Sequence, residues 1–142
     1  RGRVAGLLAP GGARRDVARM REAADAACKR FSLSTVRDRP AGKLPAGQQR
    51  LVELARAAVS QPRLLCLDEP SSGLNSAEVA QLMALLRELN RAGVSLLLVS
   101  HDMDLVTVAT RIHVLCFGEI IASGPLGRIQ GDARVREAYL GV

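Results

Sequence analysis

Aromatic rings are scarce in this sequence. Its 142 residues include two Phe, one Tyr and no Trp. A surface that stacks the bases of a single-stranded nucleic acid needs more than Phe31, Phe117 and Tyr139 can offer. Long apolar runs are missing too. No window approaches 18 uninterrupted apolar residues, which excludes a membrane-spanning helix. The first residues, Arg1-Gly2-Arg3, contain neither an initiator Met nor the apolar stretch of a secretory signal. They predict a protein that is not exported and a chain that is a fragment or a processed product. Cysteine is limited to Cys28, Cys66 and Cys116, an odd number at wide spacings with no Cys-x-x-Cys pair. Their apolar neighbours predict buried, reduced thiols of a cytosolic protein rather than disulfides or zinc ligands. None has the electropositive niche of a catalytic thiol.

What is present suits a globular protein. Hydrophobic residues make up 48% of the chain and charged residues 24%, ample apolar side chain for a core. A domain of this size hides about 68–70% of its unfolded surface. The net charge of +6 is unevenly placed: residues 1–50 hold 12 Lys and Arg against 4 Asp and Glu, and residues 51–142 hold 8 against 10. A basic front half suits phosphates or an anionic membrane face. A solvated, Arg-rich helix surface is the plainer and preferred reading, Arg14 and Arg15 included.

Periodicity divides the chain. Val17, Met20, Ala24, Ala27, Cys28 and Phe31 recur at steps of three and four, one stripe of an amphipathic helix over 15–31. The residues before it, including Pro10-Gly11-Gly12, read as a loop, as does the stretch punctuated by Pro40, Gly42, Pro45 and Gly47. A helix from about Gln48 to Ser60 ends at Pro62. Leu64 to Leu67 is a short apolar run closed by Asp68-Glu69-Pro70, predicting a strand buried on both faces of a parallel sheet. Asn75, with Glu78 three residues on, marks a helix cap, and Gly93 stops that helix. Val94 to Val99 is a second strand, closed by Ser100-His101-Asp102. A short helix over Leu105 to Ala109 follows. A hairpin of Ile112–Cys116 and Ile120–Ala122 flanks Phe117-Gly118-Glu119. Within it His113 reads as a surface or edge residue, and Phe117, like Tyr139, as a packing residue. A last short helix spans Ala133 to Leu140, started by Asp132 and ended by Gly141. This alternation is α/β architecture.

In an open α/β sheet ligands bind outside the carboxyl ends of the strands. Two strands end there in polar residues, Asp68-Glu69 and Ser100-His101. Carboxylates beside a buried strand cost free energy unless they meet a cation or donors. Mg²⁺ fits, because it takes one or two carboxylates together with substrate phosphates. On this spacing Asp68 would belong to the metal's shell, Glu69 would orient or deprotonate an attacking water, and His101 would hydrogen-bond the transferring phosphate. Each has a plainer reading as a turn cap or a satisfied polar residue. Leu44-Pro45-Ala46-Gly47-Gln48 is a small-residue loop opening into a helix, whose backbone N–H groups and dipole suit a phosphate.

LPAGQQR, LLCLDEP, SSGLN and LLLVSHD, in that order and spacing, resemble the rear portion of an ABC-type ATPase subunit. Leu44–Gln48 resembles the signature loop, Leu64–Asp68 the Walker B strand with Glu69 its catalytic carboxylate, Ser72–Asn75 the D-loop, and His101 the switch histidine. Asn75, the run from His101 to Val106 and the tail Glu137–Val142 are similar to the branched-chain amino acid importers, with urea and amide importers nearby. The resemblance implies part of a P-loop NTPase core of ABC type, a parallel sheet flanked by helices with a C-terminal hairpin. On that reading residues 1–60 are part of a helical subdomain and residues 61–142 the C-terminal half of the core.

It further implies an ATPase that uses ATP and Mg²⁺ and powers import at the cytoplasmic face of the cell membrane. Its partners would be a second ATPase subunit, transmembrane permease subunits and, indirectly, a solute-binding protein, with no nucleic acid. Glu69 and His101 would serve the subunit's own nucleotide, and Leu44, Pro45, Ala46, Gly47, Gln48 and Asn75 the partner's. Two departures stand out. Pro45 replaces the Ser of many ABC proteins and supplies neither hydroxyl nor N–H, so phosphate contact falls on Gly47, Gln48 and the helix start. The motif Gly-x-x-x-x-Gly-Lys-Ser/Thr is absent, its nearest trace being Gly42-Lys43, and the glutamine loop has no candidate. This predicts that the front of the catalytic core lies outside the chain, and that the chain alone does not hydrolyse ATP.

Three other readings compete. A nucleic-acid-associated ABC ATPase is prompted by the basic front half and predicts steeply salt-dependent binding. A truncated docking module would bind a partner without hydrolysis. A serine hydrolase using Ser71 or Ser72 with His101 lacks the Gly-x-Ser-x-Gly elbow.

Overall fold

A computed structural model describes residues 10–140. The chain divides into two compact units, Arg1–Leu65 and Cys66–Val142. The expected loop character of residues 1–9 and the tail residues Gly141 and Val142 lie outside the described residues, as does the side chain of Tyr139.

The first unit is helical. Helix α1 spans Pro10–Arg30 and α2 spans Ala46–Val59, and the two pack together. Helix α1 begins earlier than its stripe predicts, taking in Pro10-Gly11-Gly12. Proline suits a first helical turn, where its missing N–H has no intrahelical partner to lose. Phe31 at 1% exposure, Leu33 at 3% and Leu54 at 4% form the buried centre. The front of the stripe is not covered: Val17 is 48% and Met20 70% exposed. Helix α1 has 21 residues and α2 only 14, so α1 outruns its neighbour by roughly 10 Å at 1.5 Å per residue. Between the helices, Ser34–Val36 and Ala41–Lys43 form single 3-10 turns, the second of them in the stretch expected as loop.

The second unit holds the sheet. Strand β1 (Leu64–Asp68), whose first two residues precede the division, pairs with β2 (Ser95–Val99), and α3 (Ser76–Arg91) lies between them in sequence. This is the parallel, helix-connected arrangement that short apolar strands dictate. The capping box at its start is complete: Asn75 Oδ1 accepts the Glu78 N–H at 3.0 Å, and Glu78 accepts the Asn75 N–H at 2.9 Å. Gly93, at φ +93°, ends the turn beyond α3 in a conformation that only glycine adopts cheaply. Leu82, Leu86 and Leu89 are at most 2% exposed. Here the sequence expectation fails on one point, because neither strand is buried on both faces. Leu64, Leu97 and Val99 are 55–56% exposed and Cys66 is exposed, with Cys28 and Cys116 half-buried. Strand side chains alternate between faces, and among the described residues only one face of this two-stranded ribbon is covered.

The remainder is a hairpin with two short helices. Strands β3 (Ile112–Cys116) and β4 (Glu119–Gly124) pair antiparallel, with a bulge after Val114. The turn places Phe117 at φ +47° and Gly118 at φ +84°, the left-handed pair that a two-residue hairpin needs. Phe117 therefore stands fully in solvent rather than packing. His113 is exposed on β3, as expected, its Nδ1 2.7 Å from Ser123 Oγ. Helix α4 (Leu126–Gly131) was hidden from sequence reasoning by its two glycines, which weaken the helical signal. Helix α5 (Ala133–Leu140) follows, with Asp132 accepting the Arg134 N–H at its start. Val114, Ala122 and Ile129 form the small core of this part.

Candidate functional site

Strand β1 ends at Asp68, and the backbone then turns sharply. Glu69 adopts φ +44°, a left-handed conformation that costs a non-glycine residue roughly 1–3 kcal/mol. Hydrogen bonds hold it there. The Glu69 N–H donates to the Val99 carbonyl at the end of β2 at 2.9 Å, and the Ser72 N–H donates to the Glu69 carbonyl at 3.1 Å. The turn aims the Glu69 side chain across the strand ends at His101. Oε1 accepts the His101 backbone N–H at 3.2 Å, and Oε2, shielded from water, lies 2.9 Å from His101 Nδ1. The two residues that the sequence set apart by 32 positions thus meet at the rim of the sheet.

The His101 ring is 79% exposed, so its partners set its protonation. The hydrogen bond to Glu69 raises its pKa above the usual 6.5, the Glu69 charge adds to this, and Asp102 contributes in the same direction. A folded pKa above the unfolded one gives a stability contribution that is full below about pH 6.5 and fades as pH rises through the folded pKa. In an NMR titration the His101 ring is expected to have its midpoint above about 6.5, and Glu69→Gln to bring it down. A midpoint unmoved by Glu69→Gln would contradict the pairing.

Asp68 is exposed beside this pair. Among the described residues no group of three or more His, Cys, Asp or Glu side chains converges to hold a metal. A lone exposed carboxylate is compatible with Mg²⁺, which binds through one or two carboxylates and takes the rest of its shell from phosphates and water. Asn75 is exposed, with Oδ1 committed to capping α3.

The signature-like segment lies in the first unit. Leu44 is 6% exposed, an anchor in that unit's interior, and Gly47 is buried. Pro45 and Ala46 are exposed and Gln48 is half-buried. Helix α2 starts at Ala46, so Ala46, Gly47 and Gln48 form its first turn rather than the end of a loop. No side chain caps that end, which leaves first-turn N–H groups without an intrahelical partner. The Gln49 Nε2 donates to the Leu44 carbonyl at 2.8 Å and fixes the segment's entry into the helix.

Sequence reasoning gave Gln49 and Asp102 no role of their own, and read Ser71 only as a candidate nucleophile. Asp102 Oδ1 accepts the N–H groups of Asp104 at 3.0 Å and Leu105 at 3.2 Å, and the Ser71 hydroxyl hydrogen-bonds the same carboxylate. Burial pushes the Asp102 pKa up, but these donors outweigh it and hold the carboxyl below its usual range. The signal was available: an Asp two to three residues before an apolar helical turn reads as a cap.

Residues 6–72 match the family described as ABC transporter, and residues 119–142 the family described as branched-chain amino acid ATP-binding cassette transporter. The high-affinity branched-chain amino acid transport ATP-binding protein LivG of Escherichia coli K12 is 38% identical over 142 residues, covering 99% of this chain and 56% of LivG. The lipopolysaccharide export system ATP-binding protein LptB of Haemophilus influenzae is 32% identical over 122 residues, covering 85% of this chain and 51% of LptB. Among solved structures, MJ1267, an ATP-binding cassette of an ABC transporter, superposes with a TM-score of 0.79. It is 31% identical, over 85% of this chain and 50% of MJ1267. The chain spans about half the length of the curated relatives it matches, and it has the α/β fold of ABC-type ATP-binding cassettes.

Proposed function

We propose that this chain is part of the ATP-binding subunit of an ABC importer for branched-chain amino acids or related small solutes, and that the rim of β1 and β2 manages the water that attacks ATP. The observation that carries the reading is the contact between the Glu69 carboxylate and His101 beside Asp68. The importer class rests on LivG and on the family match at residues 119–142.

Glu69 acts on the attacking water. The carboxylate accepts the water's proton through Oε1, while Oε2, shielded from water beside His101 Nδ1, keeps it oriented. His101, with its affinity for a proton raised by Glu69, donates toward the oxygens of the transferring phosphate. Asp68 would hold Mg²⁺, which when bound neutralises charge developing on the phosphates. In the first turn of α2, the N–H groups of Gly47 and Gln48 present donors and a positive dipole to the phosphate of a second subunit's nucleotide. Pro45, at the cap, contributes no donor. Asn75 serves that same second site. The assembly that follows is an ATPase dimer on the cytoplasmic face of the membrane, joined to permease subunits and through them to a solute-binding protein. Among the described residues no helix is long and apolar enough to cross a membrane.

The chain's sequence contains no Gly-x-x-x-x-Gly-Lys-Ser/Thr, and the charge-assisted phosphate contacts of that loop are each worth about 1.5–3 kcal/mol. Purified by itself, the 142-residue chain is expected to show no ATP turnover in a phosphate-release assay. Joined to the N-terminal half of a LivG-type relative, it is expected to turn over ATP. Robust hydrolysis by the chain alone, abolished by Glu69→Gln, would contradict the division of labour proposed here.

A further inference from the structure

The His101 ring is mostly in solvent, so packing does not keep it against Glu69. Its orientation must come from the backbone on either side of it. Before it, the Ser100 Oγ accepts the Asp102 N–H at 3.1 Å. After it, the Asp102 carboxylate gathers the N–H groups of Asp104 and Leu105. Leu105 is wholly buried and opens a 3-10 turn, Leu105–Val108, that packs against α3. The turn carrying His101 is therefore pinned to the hydrophobic interior through one carboxylate. That carboxylate has a second attachment in Ser71, whose hydroxyl bonds to it and which is 8% exposed. Ser71 belongs to the turn that begins at Glu69, and its carbonyl accepts the Leu74 N–H at 3.0 Å. Asp102 joins the turn after β1 to the turn after β2, the two segments that must stay in register for Glu69 and His101 to touch.

We propose that Asp102 is a positioning residue: it holds His101 against Glu69 by tying the two strand-end turns together through Ser71 and the amides of Asp104 and Leu105. The role rests on reading Glu69 and His101 as the hydrolytic pair, but its test reads the contact itself and needs no turnover.

NMR on the 142-residue chain supplies two readouts, exchange of the His101 amide and the ring nitrogen shifts that report whether Nδ1 is hydrogen-bonded. In Asp102→Ala the His101 amide is expected to exchange about 10-fold faster, as a locally opened segment does, and the Nδ1 signature to move to that of a free imidazole. Amides of Leu86 and Leu89 in α3 stay as in the parent. Asp102→Asn keeps an oxygen for the two amides, so exchange returns to within about 3-fold of the parent. Ser71→Ala leaves both amide bonds intact and accelerates His101 less, by about 3-fold. An unmoved His101 in Asp102→Ala and Ser71→Ala overturns the proposal. So does an equal acceleration throughout α3, which would make Asp102 a general stabiliser. Unaltered turnover of a full-length cassette carrying Glu69→Gln would instead overturn the hydrolytic reading and leave the positioning role standing.

Discussion

Leu86→Ala is expected to destabilise the chain by about 2–5 kcal/mol, the cost of removing a buried leucine and leaving a cavity. Leu86, like Leu105, has no exposure at all, and Leu82 and Leu89 are almost as enclosed. The loss is large against a total stability of about 5–15 kcal/mol for an ordinary domain. Urea unfolding followed by circular dichroism measures it as a lowered midpoint. Val17→Ala serves as the control, because Val17 is 48% exposed and surface changes fall within about 0.5 kcal/mol. Equal effects at the two positions would contradict the burial described for α3. The consequence reaches the rim of the sheet. Helix α3 supports the turn that begins at Leu105, and that turn anchors the amides held by Asp102 just beyond His101. A cavity under α3 should loosen the His101 turn before it unfolds the hairpin of β3 and β4, which carries its own small core.

The second large effect is chemical. Glu69→Gln, in a full-length cassette built from this chain and a relative's N-terminal half, is expected to lower ATP turnover by about 10²–10⁴-fold, the usual contribution of a general base. That span corresponds to about 2.7–5.5 kcal/mol of transition-state stabilisation. The substitution keeps the side chain's length and one carbonyl oxygen for the His101 N–H. It removes the basic oxygen and the charge that raises His101's affinity for a proton. Folding should be little changed, because the left-handed backbone at position 69 is held by main-chain hydrogen bonds to Val99 and Ser72, which glutamine retains. Loss of turnover without loss of fold separates the role of Glu69 from the effect of a core substitution.

How much of this was legible beforehand depends on whether the signal was local. The cap at Asn75 and Glu78 could be read directly because both partners lie within one helical turn. The hairpin was legible for the same reason, from alternating residues around Phe117-Gly118. The site's carboxylate and histidine were marked by their places at the ends of two apolar runs, though the backbone twist that makes them meet, at φ +44° on a glutamate, leaves no trace in composition. Burial of the strands was misjudged because apolar content reports what a strand can bury. It does not report whether another layer among these residues covers Leu64, Leu97 and Val99. Phe117 was misread on similar grounds, since hydrophobicity argued for packing while hairpin geometry sends the side chain outward. The brace through Ser71 and Asp102 escaped notice because it joins residues 31 positions apart whose types suit ordinary turns.

The reading of the sheet rim turns most directly on single-turnover hydrolysis by the Glu69→Gln cassette, with ATP affinity measured on the same protein. The expected result is ATP binding within about 3-fold of the parent together with hydrolysis slowed about 10²–10⁴-fold, since a base acts in the transition state and not in binding. Hydrolysis at the parent's rate with nucleotide bound would mean that the water is managed elsewhere, and that the contact between Glu69 and His101 is structural alone.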